Sequence, residues 1–246
     1  MRGTRRHHRI DEVLRQFTEE VKGLYGPEVL SVIVYGSAAS GEYIPARSNI
    51  NTVILLETVT PANLGRCTKN LRRWSREGIV TPLFLDSVYL RATASAFPAE
   101  FLDMRDRHRV LHGADFLATL ELNLAHLQFQ CEQELKGKLL RLRQLYAVLA
   151  GSPDRVRRLL IRSLSSFLAL FRSLLRLRGL VPPYSSEEIL AKLSELGLPI
   201  HAVREVVALK RAGGRPSRQE IEGLFERYMD EIRAAADYVA TPMGTR

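Results

Sequence analysis

Apolar positions Ile10, Val13, Leu14, Phe17, Val21 and Leu24 recur at spacings of three and four, which predicts an amphipathic helix that Gly26-Pro27 ends. The period then changes. Val29 to Tyr35 is β-branched and apolar and runs directly into Gly36-Ser37, the pattern of a buried strand that stops in a tight turn. A second buried strand is expected over Asn51 to Leu56. Pro61 to Arg76 reads as a helix, Thr81 to Leu85 as a short strand and Phe97 to Met104 as another strand. Helix and strand signals are therefore mixed as far as Gly113.

After Gly113 the strand signals vanish. Helical spacing runs from Ala114 to Leu149 and again from Pro153 to Leu177, and the break at Gly151-Ser152-Pro153 turns the chain back into an antiparallel pair. Pro153 suits a first helical turn, Ser152 an N-cap, and Gly179 the position past the end. Further helices are expected from Ser185 or Ser186 to Leu196, from His201 to Lys210, and from Ser217 to Val239. The reading is an α+β architecture. Residues 1–113 form a mixed sheet flanked by helices, and residues 114–246 form an all-α bundle of about five helices.

With 246 residues the chain can carry two ordinary domains, and 46% hydrophobic against 26% charged residues places it among folded rather than disordered chains. Lysine and arginine outnumber aspartate and glutamate by 36 to 27, a formal charge of +9, so an anionic partner is favoured and nucleotide, nucleic acid and acidic protein all qualify. Cys67 and Cys131 are the only cysteines and are far apart, which excludes a zinc ribbon and fits a reducing compartment. Met1 to Arg9 is basic but leads into a charged amphipathic stretch without an apolar signal core. The most apolar later stretch, Leu159 to Leu175, is interrupted by Arg162 and Arg172. No membrane anchor is expected, and a cytoplasmic location follows.

The informative stretch is Val32-Ile33-Val34-Tyr35-Gly36-Ser37, followed after eleven residues by Asn49-Ile50-Asn51-Thr52-Val53-Ile54. This resembles the signature of the nucleotidyltransferase superfamily, typified by aminoglycoside and minimal bacterial nucleotidyltransferases. There a strand leads into Gly-Ser, a short helix follows, and the next strand begins with Asp-x-Asp. The spacing and the flanking Arg47-Ser48 match; the carboxylates are replaced by Asn49 and Asn51.

The resemblance implies a nucleotidyltransferase-like sheet followed by a helical bundle, with a nucleotide held by Gly36, Ser37, Arg47 and Ser48. Missing its side chain, Gly36 lets backbone approach phosphate closely. Positions 49 and 51, two apart on a strand, would share one face, the arrangement by which paired carboxylates hold magnesium. A third acid from a neighbouring strand is expected at Glu100, with Asp103 and Asp86 as weaker candidates, leaving Glu100 as the residual catalytic and metal-ligating position. Asparagine carries no charge and cannot act as a base, so magnesium is expected only if the chain is an active enzyme.

The reading that follows is a catalytically impaired nucleotidyltransferase-fold protein that binds a nucleotide or another anion. One alternative is an active magnesium-dependent enzyme that transfers a nucleoside monophosphate to a small-molecule or protein hydroxyl. Another is an antitoxin-like module that binds a protein partner through the bundle. His7-His8, among Arg5, Arg6 and Arg9, reads as a basic terminus rather than a metal site. Arg155, Arg157, Arg158 and Arg162 could face nucleotide or nucleic acid, but helical spacing is expected to scatter them over more than one face.

Overall fold

The computed structural model describes residues 2–40, 43, 48–214 and 216–241, with side chains from residue 10 onward. It divides into two compact units, Met1–Leu122 and Asn123–Arg246. The division lies later than the Gly113 boundary expected from sequence because the segment after Gly113 is not yet helical. Phe116, Leu117 and Leu120 instead pack into the core of the first unit.

The first unit opens with α1 (Arg2–Tyr25), followed by β1 (Val29–Tyr35), β2 (Asn51–Leu56), α2 (Pro61–Arg66), α3 (Thr68–Arg76), β3 (Leu83–Asp86), α4 (Ser87–Ala96), α5 (Pro98–Asp106) and β4 (His108–Gly113). The four-stranded sheet has the order β3-β2-β1-β4. β1 is antiparallel to both β2 and β4, and β2 is parallel to β3. Alternation along the central strands then decides what each face meets. Val32, Val34, Ile54 and Leu56 join Leu14, Phe17 and Val21 of α1 and Trp74 of α3. Phe17 and Trp74 meet edge to face at 4.9 Å, and the buried indole donates to Glu20 Oε2 at 2.8 Å. On the other face Ile33, Val53, Leu55 and Leu85 meet Leu90 of α4 and Phe101 and Met104 of α5.

The strand expected over Phe97 to Met104 is instead helix from Pro98 onward. Pro98 occupies the first turn of α5, and Phe101, Leu102 and Met104 bury the inward side. The strand on the other side of β1 is β4, an edge strand whose residues are mostly half-exposed and lack the apolar run that marks β1 and β2. The helix expected over Pro61 to Arg76 is broken at Cys67 into α2 and α3. At Gly113, φ is +77°, and a Cβ would fall 2.0 Å from the Leu30 carbonyl oxygen, so only glycine fits where β4 leaves the sheet.

The second unit contains α6 (Leu124–Leu149), α7 (Pro153–Leu177), α8 (Ser186–Glu195), α9 (His201–Ala212) and α10 (Arg218–Ala240), and no strand among its described residues. Its first helix starts at Leu124, not Ala114, where Asn123 caps it by accepting from Ala125 N. α6 and α7 run antiparallel: the Cys131 thiol lies against the Leu170 carbonyl, and the turn joins their other ends. Ser152 stands at the N-cap of α7 without a side-chain capping bond, whereas Ser185 and Ser217 do cap α8 and α10. α10 closes the bundle through stacked Tyr146 and Phe225, 4.0 Å apart, and through the Ser163–Tyr228 hydroxyl pair at 3.1 Å. No described helix is long and apolar enough to cross a membrane.

Candidate functional site

β1 delivers the chain to Gly36 with φ at +76°, which reverses it into a single short helical turn over Gly36–Ala38. Gly36 N donates to the Arg107 carbonyl at 2.8 Å, tying the turn to the segment that enters β4. Ala39 N and Ser40 N both return to the Gly36 carbonyl, at 3.0 and 3.2 Å. No side chain caps the start of the turn, and Ser37 is half-buried there.

Asn51 begins β2 directly across from Tyr35. Its side chain reaches the turn: a Cβ built on Gly36 would lie 3.5 Å from the Asn51 amide nitrogen. By alternation it shares the sheet face of Val53 and Leu55, the face covered by α4 and α5. Beside it, burial of the Tyr35 phenol pushes its pKa up, so this hydroxyl stays protonated at neutral pH. Asn49 is exposed and lies ahead of the strand, next to Ile50, which makes an isolated parallel bridge to Ile79. Ser48 is half-buried beside it, and Arg47 lies outside the described residues. The structure thus brings Asn51 to Gly36, while Asn49 is exposed ahead of the strand.

Glu100 is an exposed residue in the first turn of α5. Its expected place on a strand is overturned, because the strand beside β2 is β3 and α5 lies on the sheet face through Phe101 and Met104. Opposite the start of β2 the chain reads Ile79-Val80-Thr81-Pro82-Leu83, without an ionisable side chain. Asp86 ends β3, where its carboxylate accepts from Val88 N and Tyr89 N and caps α4. Asp103 is half-buried on α5. Among the described residues no group of three or more His, Cys, Asp or Glu is placed to hold a metal. The side chains of His7 and His8 lie outside the described residues.

Further contributors to this region escaped the sequence reading. The Arg107 carbonyl anchors the turn, and Tyr35 stands opposite Asn51. Tyr35 was legible as the last residue of a strand before Gly-Ser; the Arg107 contact depends on β4 and carries no local signal. In the second unit, Arg155, Arg158 and Arg162 line one cleft, while Arg157 is not among its lining residues and pairs with Asp154 at 3.8 Å, so the four arginines are spread over more than one face.

No family model matches the sequence, and no curated protein matches it significantly. Among solved structures the chain is similar to spectinomycin adenyltransferase AAD(9) from Enterococcus faecialis, a crystal structure with ATP and spectinomycin. The TM-score is 0.56 and the identity 8%, over 90% of this chain and 98% of that one. Such a likeness carries the fold: a nucleotidyltransferase-like mixed sheet flanked by helices, followed by C-terminal helices.

Proposed function

We propose that this chain binds a nucleotide or similar polyanion at the Gly36-Ser37 turn and has lost metal-dependent nucleotidyl transfer. The observation that carries this reading is the neutral Asn51 amide set against Gly36. At the same place the resembling family holds a carboxylate. Phosphate can be received by backbone and hydroxyl donors without any acid, and an amide N–H in place of a carboxylate removes repulsion of the anion. Gly36, Ser37, Ser48 and Asn51 are the residues assigned to it.

Magnesium does not suit this donor set. The ion prefers anionic oxygen and gives up water reluctantly, and each lost unit charge at about 4 Å forfeits on the order of 4 kcal/mol near a protein surface. Asn49 and Asn51 are neutral, the chain opposite the start of β2 offers no acid, Asp86 at the other end of β3 is committed to capping α4, and Glu100 stands exposed on a helix. In-line transfer depends on neutralising charge at the reacting phosphate. Binding is therefore expected to persist where catalysis does not.

The test is calorimetric titration of ATP, the nucleotide held by the structural neighbour, with and without magnesium. Wild-type protein should bind ATP with an affinity that magnesium leaves unchanged. The Asn49→Asp/Asn51→Asp variant should bind magnesium–ATP more tightly than ATP alone. Equal tightening by magnesium in wild type, or release of pyrophosphate by it, refutes the reading. A lack of ATP binding by the wild type removes the nucleotide site itself.

A further inference from the structure

Between α6 and α7 lies a cleft of about 520 Å³, within the size range of small-molecule sites. Its floor is apolar. Leu142, Leu159 and Phe167 are buried there, and Leu145 and Leu149 continue it, half-buried, toward the turn between the helices. The rim is cationic: Arg155, Arg158 and Arg162 come from α7 and Lys138 and Arg141 from α6. No carboxylate stands among the described residues that line it.

Spacing explains the arginine row. Positions i, i+3 and i+7 fall on one helix face, so the guanidinium groups of Arg155, Arg158 and Arg162 follow one another along one side of the cleft. None has a carboxylate partner among the described residues. By contrast Lys138 is engaged by Glu134 at 3.1 Å, and Arg141 donates to Gln144 at 3.3 Å. The hydroxyls in the cleft are committed to the backbone, Ser163 Oγ donating to the Leu160 carbonyl and Ser166 Oγ to the Ser163 carbonyl. The α7 arginines are therefore the groups free to receive an anion. An ordinary solvated helix face has cations but no leucine-lined recess beneath them.

We infer that this cleft binds a small amphiphile with a phosphate monoester head on an apolar tail. The head lies across Arg155, Arg158 and Arg162, where a dianion meets several planar guanidinium donors at once. The tail lies on Leu142, Leu145, Leu149, Leu159 and Phe167. The residues of this site all belong to the second unit.

The test is calorimetry of the full chain with dodecyl phosphate, below the concentration at which it forms micelles. One ligand should bind per chain. Inorganic phosphate, which lacks the tail, should bind roughly 100-fold more weakly, the effect of a few buried methylenes. Dodecanol, which lacks the charge, should bind at least roughly tenfold more weakly. Arg158→Gln with Arg162→Gln should lose roughly tenfold, since each exposed charge contributes modestly. Both are exposed residues, so their replacement leaves the bundle core intact. Arg72→Gln with Arg76→Gln, exposed cations of the first unit, should change nothing. Absence of saturable binding overturns the inference. So does an equal loss in both arginine pairs, or inorganic phosphate binding as tightly as the amphiphile. Vesicles of phosphatidylcholine containing phosphatidate provide the last arm: protein that sediments with them yet ignores monomeric dodecyl phosphate would place the head group in a membrane and overturn a free ligand. Preference for a glutamate-rich amphipathic helical peptide over dodecyl phosphate would overturn it in favour of a protein partner.

Discussion

Glu231 provides a sharp test of how the second unit is held together. This buried carboxylate on α10 accepts from Ala202 N through Oε1 and from Val203 N through Oε2, both at 2.9 Å. Those amides belong to the first turn of α9, which has no capping side chain of its own. Glu231→Ala would orphan both N–H groups in a region where Ala202 and Val203 are fully buried. Each lost bond to a charged acceptor is worth about 1.5–3 kcal/mol, and a carboxylate at a partly buried helix N-terminus up to ~2 kcal/mol more. Removal of the carboxylate's own desolvation cost offsets part of this. A net loss of about 3–4 kcal/mol is expected, a large share of the roughly 5–15 kcal/mol that holds typical domains. Glu231→Gln retains one acceptor and turns an amide against the other N–H, so about half that loss is expected. Urea unfolding followed by circular dichroism should show the Ala variant's midpoint lowered by on the order of 1–2 M. Trp74, the chain's one tryptophan, lies in the first unit, so its fluorescence reports that unit separately. An unchanged dichroism midpoint in Glu231→Ala, or equal losses in the Gln and Ala variants, would refute the capping argument.

Gly113→Ala should destabilise the first unit by more than ~2 kcal/mol, because its Cβ meets the Leu30 carbonyl oxygen at 2.0 Å and φ is positive; Trp74 fluorescence during urea unfolding measures it. Burial pushes the Cys131 thiol up to about 12, so Cys131 should stay unmodified by iodoacetamide at pH 8 until the protein unfolds, as mass spectrometry of peptides would show. Burial works to raise the Asp115 carboxyl, but hydrogen bonds from His108 and Ala118 N prevail and hold it below its ordinary value. A depressed folded-state pKa stabilises above the unfolded value and is lost as pH falls through the folded one, so Asp115→Asn should flatten the loss of thermal stability below about pH 4. An unaltered acid limb in that variant would show that the His108–Asp115 pair contributes nothing there.

Where structure follows from local physics, the chain spelled it out. β1 and β2 were legible to the residue, because apolar β-branched runs bounded by Gly36 and by Asn51 are long enough for strands and bury on both faces. α7 was likewise bounded by Pro153 and ended before Gly179, and the caps at Ser185 and Ser217 depend only on neighbours a turn away. The neutral residues at positions 49 and 51 needed no structure at all, since charge is a property of composition. What the tertiary structure decided is what depends on distant partners. Phe97–Met104 has apolar residues enough for either period, and burial of Phe101 and Met104 against Val53 and Leu55 selected helix, which removed Glu100 from the strand beside β2. β4 is an edge strand with no apolar run, formed because β1 leaves its hydrogen-bonding side to be paired. α9 borrows its N-terminal acceptor from Glu231, far along the chain. The arginines of α7 hold a local helical spacing, but only the opposed leucines of α6 turn that row into the wall of a cleft. Periodicity sets the face that a helix presents, and packing sets what that face meets.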